Sequence, residues 1–501
     1  MSPSGNRRAV AVLLFLALPL VLEGVFRSAL VVTRWSSAPE ERTFDLIGVG
    51  ESTMNAFPFE PKISIPKLVA KLLDGKVAGH PIVVQNLAKD GHPIYMQCPD
   101  LARAVTYRDA DMPGAVIIYA GHNEGDLRPR IGAEVWEPGI FESLARHSFL
   151  AREIELRLVT WRVIRRPRGI FAYEYFLRRT IETARDAGLV PILSTVAGNI
   201  SGVEPNLENS DAGTVEDAMK VVEQRRKAGD CASIEADCTE QTTPVAPLLC
   251  YEAGKCRQAA GETDQAVELY ETALDKDPRT VFGRATRAQN AIVRRLGVEY
   301  QIPVVDAVAR LTRESPSGVL GNDMFGDGQH PNLAGMLVLA RGYADAIASD
   351  FSTAVPRQAM TVQETQTEFG LTPSLQARAE VLSASWLIAS AAQHPWPHDR
   401  LSLAETHLRA ALALAPNDFT AWFDMAVVSA ARRGFLRQPE ALEKLGKWSV
   451  FYRPAACVPD QDVEPMVNEF RSLGVDEKVL AAILENREEA CVNNDGSYGS
   501  E

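Results

Sequence analysis

The segment Phe325-Gly326-Asp327-Gly328-Gln329-His330-Pro331-Asn332 carries the strongest chemical signal in the chain. An aspartate three residues ahead of a histidine, on one loop, lets the carboxylate take one imidazole nitrogen and leaves the other free to act. That arrangement fixes the tautomer and stabilises an imidazolium, as general-base catalysis at a hydroxyl requires. A hydroxyl stands in Gly48-Val49-Gly50-Glu51-Ser52-Thr53-Met54-Asn55, where Ser52 lies just past an apolar run. The segment has no glycine at the place a G-x-S-x-G elbow needs, and helix N-capping by Ser52 or Thr53 is the plainer use of those side chains. Two further segments could hold a developing oxyanion. Ile118-Tyr119-Ala120-Gly121-His122-Asn123-Glu124 offers the Asn123 amide, and Asn86-Leu87-Ala88-Lys89-Asp90-Gly91 offers the Gly91 N–H. Asparagine and glycine also serve ordinary turns, so neither segment is specific alone.

The elements that must position these residues follow from the hydrophobic pattern. From residue 42 onward, short apolar runs at 44–49, 82–87, 115–119, 190–196 and 302–305 read as strands. Stretches of helical period lie between and after them, notably at 65–73, 173–187, 284–300 and 333–348. This alternation predicts a mainly parallel sheet covered by helices on both faces. Such sheets bind ligands beyond the C-terminal ends of their strands, where Ser52, Gly91 and Asn123 would all lie.

Two stretches break the alternation. Residues 201–281 form an insertion, polar and acidic at first and then helical, in which Gly254, Ala266, Tyr270, Ala273 and Pro278 follow the spacing of a tetratricopeptide repeat. A second such unit stands at Ala404, Leu408, Ala411 and Pro416, with Trp422 opening the next helix. Small residues at fixed spacing let two helices approach closely, and proline ends the second. A generic helix pair has the same features. Residues 355–375 read as a linker and 488–501 as a frayed end.

At 501 residues the chain needs two or three modules. Its 46% hydrophobic and 23% charged residues describe an ordinary globular protein. A net charge of −13 without any Lys/Arg run argues against nucleic-acid binding. Arg7 and Arg8 precede an apolar stretch at 9–22 that resumes through Val32. The short run would span about 21 Å as a helix and the whole stretch about 36 Å, against a hydrocarbon core of roughly 30 Å. Residues 1–35 are therefore expected to be an uncleaved N-terminal membrane anchor, or else a cleaved signal. With arginines before the helix, the chain beyond Val32 lies outside the cytoplasm, periplasmic in a Gram-negative cell. Among the seven cysteines, Cys231, Cys238, Cys250 and Cys256 sit close together, and disulfides within 231–256 are expected without a defined connectivity.

Taken in order, the glycine-acid-serine block, the glycine block, the G-x-N block and the final D-x-x-H-P block resemble the SGNH (GDSL-like) hydrolase family. The resemblance spans about residues 42–350 without the insertion. It is closest to a bacterial subgroup with an N-terminal anchor, a G-H-N-E third block and tetratricopeptide repeats. It implies a flavodoxin-like α/β three-layer sandwich over 42–200 and 282–352, with the helical insertion at 201–281 and a C-terminal helical region at 376–487. It also implies Ser52 as nucleophile, His330 as general base and then acid, and Asp327 as orienter. The oxyanion would be held by the N–H groups of Ser52 and Gly91 and by the Asn123 amide. The expected activity is that of an exported serine esterase forming an acyl-serine, with an acyl ester substrate carried on envelope carbohydrate and no cofactor or metal. The same triad would serve an O-acyltransferase. The competing class is an inactive envelope scaffold that binds a protein partner through its helical repeats. Glu51 and Glu124 stand where the family often has aspartate. His92 and His122 lie on neighbouring loops and read as packing or solvent-facing residues.

Overall fold

A computed structural model describes residues 42–106, 108–124, 169–207, 212–240, 244–277, 283–355, 360–392, 394–434 and 460–487, with isolated positions at 21, 24, 25, 151 and 154. The expected anchor (those three early positions apart), Pro278, Cys457, Cys491 and the 488–501 tail lie outside the described residues. Among the described residues no helix is long and apolar enough to cross a membrane.

Strand β1 (Phe44–Gly50) is buried along almost its whole length, as a central parallel strand must be. It runs into the one-turn helix α1 (Ser52–Asn55) and then into α2 (Ile65–Leu72), which has Pro66 in its first turn and the Ser64 hydroxyl as cap. The chain continues through β2 (Lys76–Val77), β3 (His80–Asn86), α3 (Ile94–Ala104), β4 (Gly114–Tyr119), α4 (Ile170–Asp186) and β5 (Val190–Ser194). The insertion supplies α5 (Ala212–Lys227), α6 (Cys231–Glu240), α7 (Ala246–Ala259) and α8 (Thr263–Lys276). Then α9 (Arg287–Tyr300), β6 (Val304–Val305), α10 (Ala307–Glu314) and α11 (Leu333–Asp350) complete the α/β part.

The sheet order is β2-β3-β1-β4-β5-β6. Every pairing is parallel except β2 with β3. Leaving the two-residue β2 aside, the parallel strands follow the 2-1-3-4-5 order of doubly wound flavodoxin-like sheets, whose switch point lies between the first and third strands. Leu46 on β1 pairs with Val84 on one side and Ala115 on the other, so both neighbours deliver their following loops beside Ser52. Gly50 makes that turn feasible, because a Cβ there would lie 2.5 Å from the Tyr119 carbonyl oxygen and 2.6 Å from the Met54 Cβ.

The C-terminal helices are α12 (Val362–Glu368), α13 (Pro373–Ala391), α14 (His398–Leu414), α15 (Phe419–Ala431), α16 (Asp460–Ser472) and α17 (Glu477–Glu485). The expected linker at 355–375 is thus corrected: α12 lies within it. Its polar sequence is stabilised by a reciprocal capping box between Thr361 and Glu364, and Thr372 caps α13. In the insertion, Cys231 pairs with Cys256 and Cys238 with Cys250, tying α6 to α7. Gly254 lets α8 come close to α7, since a Cβ there would sit 2.9 Å from the Tyr270 ring.

Candidate active site

Ser52 begins α1 at the C-terminal end of β1, and its Oγ lies 2.6 Å from His330 Nε2 across 278 positions of sequence. His330 Nδ1 lies 2.7 Å from Asp327 Oδ2. A carboxylate only accepts, so Nδ1 carries the hydrogen, and in the neutral ring a bare Nε2 faces the serine hydroxyl. The other Asp327 oxygen accepts the backbone N–H groups of Gln329 and His330, both at 2.8 Å. The loop itself is a small hairpin in which the Gly326 N–H donates to the His330 carbonyl at 2.9 Å and Asn332 N–H to the Met324 carbonyl at 3.0 Å. Asn332 then caps α11 by accepting the Gly335 N–H. All three side chains are shielded, Asp327 completely and Ser52 with 8% exposure.

The electrostatics suit proton transfer. Burial pushes the His330 imidazole down, but the Asp327 charge and hydrogen bond, with Asp90 and Glu60 adding, hold it above its ordinary value. A proton taken from Ser52 would therefore be retained well at Nε2.

Glu51, adjacent to the serine, is fully buried, and its carboxylate accepts the N–H groups of Gly121 (3.0 Å), His122 (2.9 Å) and Asn123 (3.1 Å). Burial raises its pKa to about 7 against the pull of those three donors. The residue thus ties the loop after β4 to the serine turn. With its backbone N–H committed to Glu51, Asn123 keeps its side-chain amide for other use. Glu124 accepts the Ile94 N–H at 2.8 Å and so caps α3, whose own cap residue, Pro93, supplies no side-chain acceptor. Gly91 is exposed, with φ of +69°, on a loop held to α1 by the Asn55 amide donating to Asp90 (3.2 Å). On the same loop the Lys89 N–H donates to the Gly50 carbonyl at 3.3 Å. Both loops thus border the β1–α1 turn. His122 is buried and its Nδ1 accepts the Ala285 N–H (3.3 Å), a packing arrangement. His92 is half-buried and is pushed below the ordinary imidazole range by burial and by Lys89.

Two rings that the sequence does not single out flank the His330 imidazole. Phe57 lies 4.6 Å away between centroids, and Trp386 on α13 meets it edge-on at 5.8 Å. Nothing local marks Trp386, which sits among the apolar and small residues of a buried helix. Among the described residues no cluster of three or more His, Cys, Asp or Glu side chains is placed to hold a metal ion.

The fold and site together define a doubly wound α/β protein with a serine–histidine–aspartate chain at the switch point of its sheet. No protein-family model matches the chain, and no curated protein sequence matches it. Solved structures do. A G-D-S-L family lipolytic protein from Veillonella parvula is 10% identical at a TM-score of 0.30, covering 60% of this chain and 97% of its own. A GDSL-like lipase from Bacteroides thetaiotaomicron is 10% identical at 0.30, covering 64% and 97%. A catalytic mutant of an acetylxylan esterase from Geobacillus stearothermophilus is 15% identical at 0.30, covering 61% and 95%. At these identities and TM-scores the likeness transfers no residue role and no substrate to this chain.

Proposed function

We propose that this protein is a serine esterase of the SGNH type that works through an acyl-serine intermediate. The observation that carries the reading is the pair of contacts at 2.6 and 2.7 Å that link Ser52, His330 and Asp327. His330 Nε2 takes the Ser52 proton as Oγ bonds to the carbonyl carbon of an ester, and the carbonyl π electrons move to its oxygen. The Ser52 and Gly91 N–H groups and the Asn123 amide receive that oxyanion. Collapse of the adduct breaks the bond to the alcohol oxygen, which leaves with the proton from His330. Water then repeats the sequence on the acyl-serine and releases the acid. Asp327 stays ionised throughout and holds the imidazolium.

Export is part of the proposal. The apolar stretch behind Arg7 and Arg8 supports it, as do two disulfides of a kind that persists in oxidising compartments. The substrate we propose is an O-acylated envelope carbohydrate, on the strength of that location and the family resemblance.

The test is direct. Wild-type protein should hydrolyse p-nitrophenyl acetate and be labelled by a fluorophosphonate. Folded Ser52→Ala should lose the label and more than about 10³-fold in kcat. A Ser52→Ala protein that kept the wild-type rate would overturn the mechanism, and an unlabelled, inactive wild type would favour a scaffold. Only neutral His330 accepts a proton, so kcat/KM should rise with pH through a value above the ordinary imidazole range.

A further inference from the structure

Helices α13 and α14 reach the Asp327–His330 loop from outside the α/β part. On α14, His407 Nε2 lies 2.6 Å from the Gly326 carbonyl oxygen, and its Nδ1 lies 2.5 Å from Glu380 Oε2 on α13. A carbonyl oxygen only accepts, so Nε2 carries a hydrogen, and a proton must also lie between Nδ1 and the carboxyl oxygen. With both nitrogens engaged, the ring cannot rotate without losing both bonds. Gly326 passes the restraint inward, since its own N–H donates to the His330 carbonyl at 2.9 Å. Trp386 closes the same loop from α13, where a Cβ on Gly328 would meet its ring at 3.0 Å. The loop's other outward backbone bonds go to the α/β part: Asn199 N–H donates to the Gly328 carbonyl (3.1 Å) and the Thr53 hydroxyl to that of Gln329 (3.4 Å).

We propose that His407, held by Glu380, is a positioning residue for the Asp327–His330 loop, which makes the C-terminal helices part of the catalytic site rather than an appended module. The proposal rests on the esterase reading above. His407 acts through the backbone of Gly326, so its loss should misplace His330 relative to Ser52. Such misplacement lowers the rate of the chemical step more than it alters substrate binding.

The experiment compares full-length wild type, His407→Ala, His407→Gln and Glu380→Ala on p-nitrophenyl acetate, with melting temperatures measured alongside. His407→Ala should lower kcat by about 10- to 100-fold while KM stays within about twofold. Glutamine can still donate an N–H to the Gly326 carbonyl, so His407→Gln should recover most of the loss. Glu380→Ala, altering a partly exposed side chain, should fall between wild type and His407→Ala and covers the case in which the latter does not fold. A folded His407→Ala with unchanged kcat, or alanine and glutamine variants equally impaired, would overturn the proposal alone. So would an unaffected Glu380→Ala. A wild type that neither hydrolyses ester nor takes the fluorophosphonate would overturn the esterase reading along with it.

Discussion

The two all-helical regions are attached to the sheet by opposite means. Helices α5–α8 share one apolar core with the α/β part, in which Met219, Leu249 and Tyr270 belong to the same cluster as Leu46, Ile117 and Leu339. Helices α13–α17 build a core of their own, which Phe57 of the α/β part and Val203 at the start of the insertion enter as buried members. Their seam is largely polar. Glu204 accepts the N–H groups of Asp399 (2.8 Å) and Arg400 (3.0 Å) and faces the Arg400 guanidinium at 3.3 Å. Tyr251 and Lys255 of α7 both reach Asp399 Oδ2 at 2.8 Å, and His394 bonds the Pro205 carbonyl. Apolar burial is non-directional and tolerates small shifts, whereas hydrogen bonds lose strength steeply with angle. The region that touches the catalytic loop is the one held by directional contacts.

Breaking the seam should have the largest effect. Arg400→Met leaves the buried Glu204 carboxylate without its guanidinium partner and should cost about 3–5 kcal/mol, read by chemical denaturation of the full chain. The insertion, held by its shared core, should resist longer in the same experiment. Next comes a pH effect confined to the C-terminal core. Burial pushes Asp424 up to about 7; the Ser385 hydroxyl opposes this and Asp418 adds to it. The folded state therefore keeps a proton that the unfolded chain releases near pH 4. Stability from this group should be complete below that value and decline by up to about 4 kcal/mol as pH rises towards 7. Asp424→Asn should remove this group's share of the slope and leave that of Glu51, and an unchanged slope would show that Asp424 is not buried as described. The smallest effect should come from removing the outer disulfide alone, by Cys231→Ser with Cys256→Ser, which destabilises the insertion by about 3 kcal/mol. Ester hydrolysis below the unfolding range should be unchanged, since neither bridge touches the loop that carries His330. A matching fall in activity would erase the contrast between the two regions.

Much of the sheet and the pairing of Asp327 with His330 was legible because both depend on local pattern. Apolar runs of strand length, such as 115–119, sit in an alternation that a parallel sheet covered by helices accommodates. Asp327 and His330 share one loop, so three-residue spacing was enough to pair them. The two-residue β2 was too short to leave a pattern, and α12 has few apolar residues to show a period, although its Thr361/Glu364 box was there to be read. The roles of Glu51 and Glu124 were not legible, because their partners come from a loop and a helix that only the tertiary fold brings near. The same holds for His407, whose contact with Gly326 spans 81 positions.

The two cystine bridges are concentric: residues 238–250 lie wholly within 231–256. Closing either ring therefore threads no chain through the other, and either order of oxidation arrives at the same topology. The sulfurs are also unequally guarded, with Cys238 and Cys250 fully enclosed and Cys231 partly open to solvent. A small thiol entering from solution meets the outer ring first, and with that ring open the inner one still staples α6 to α7.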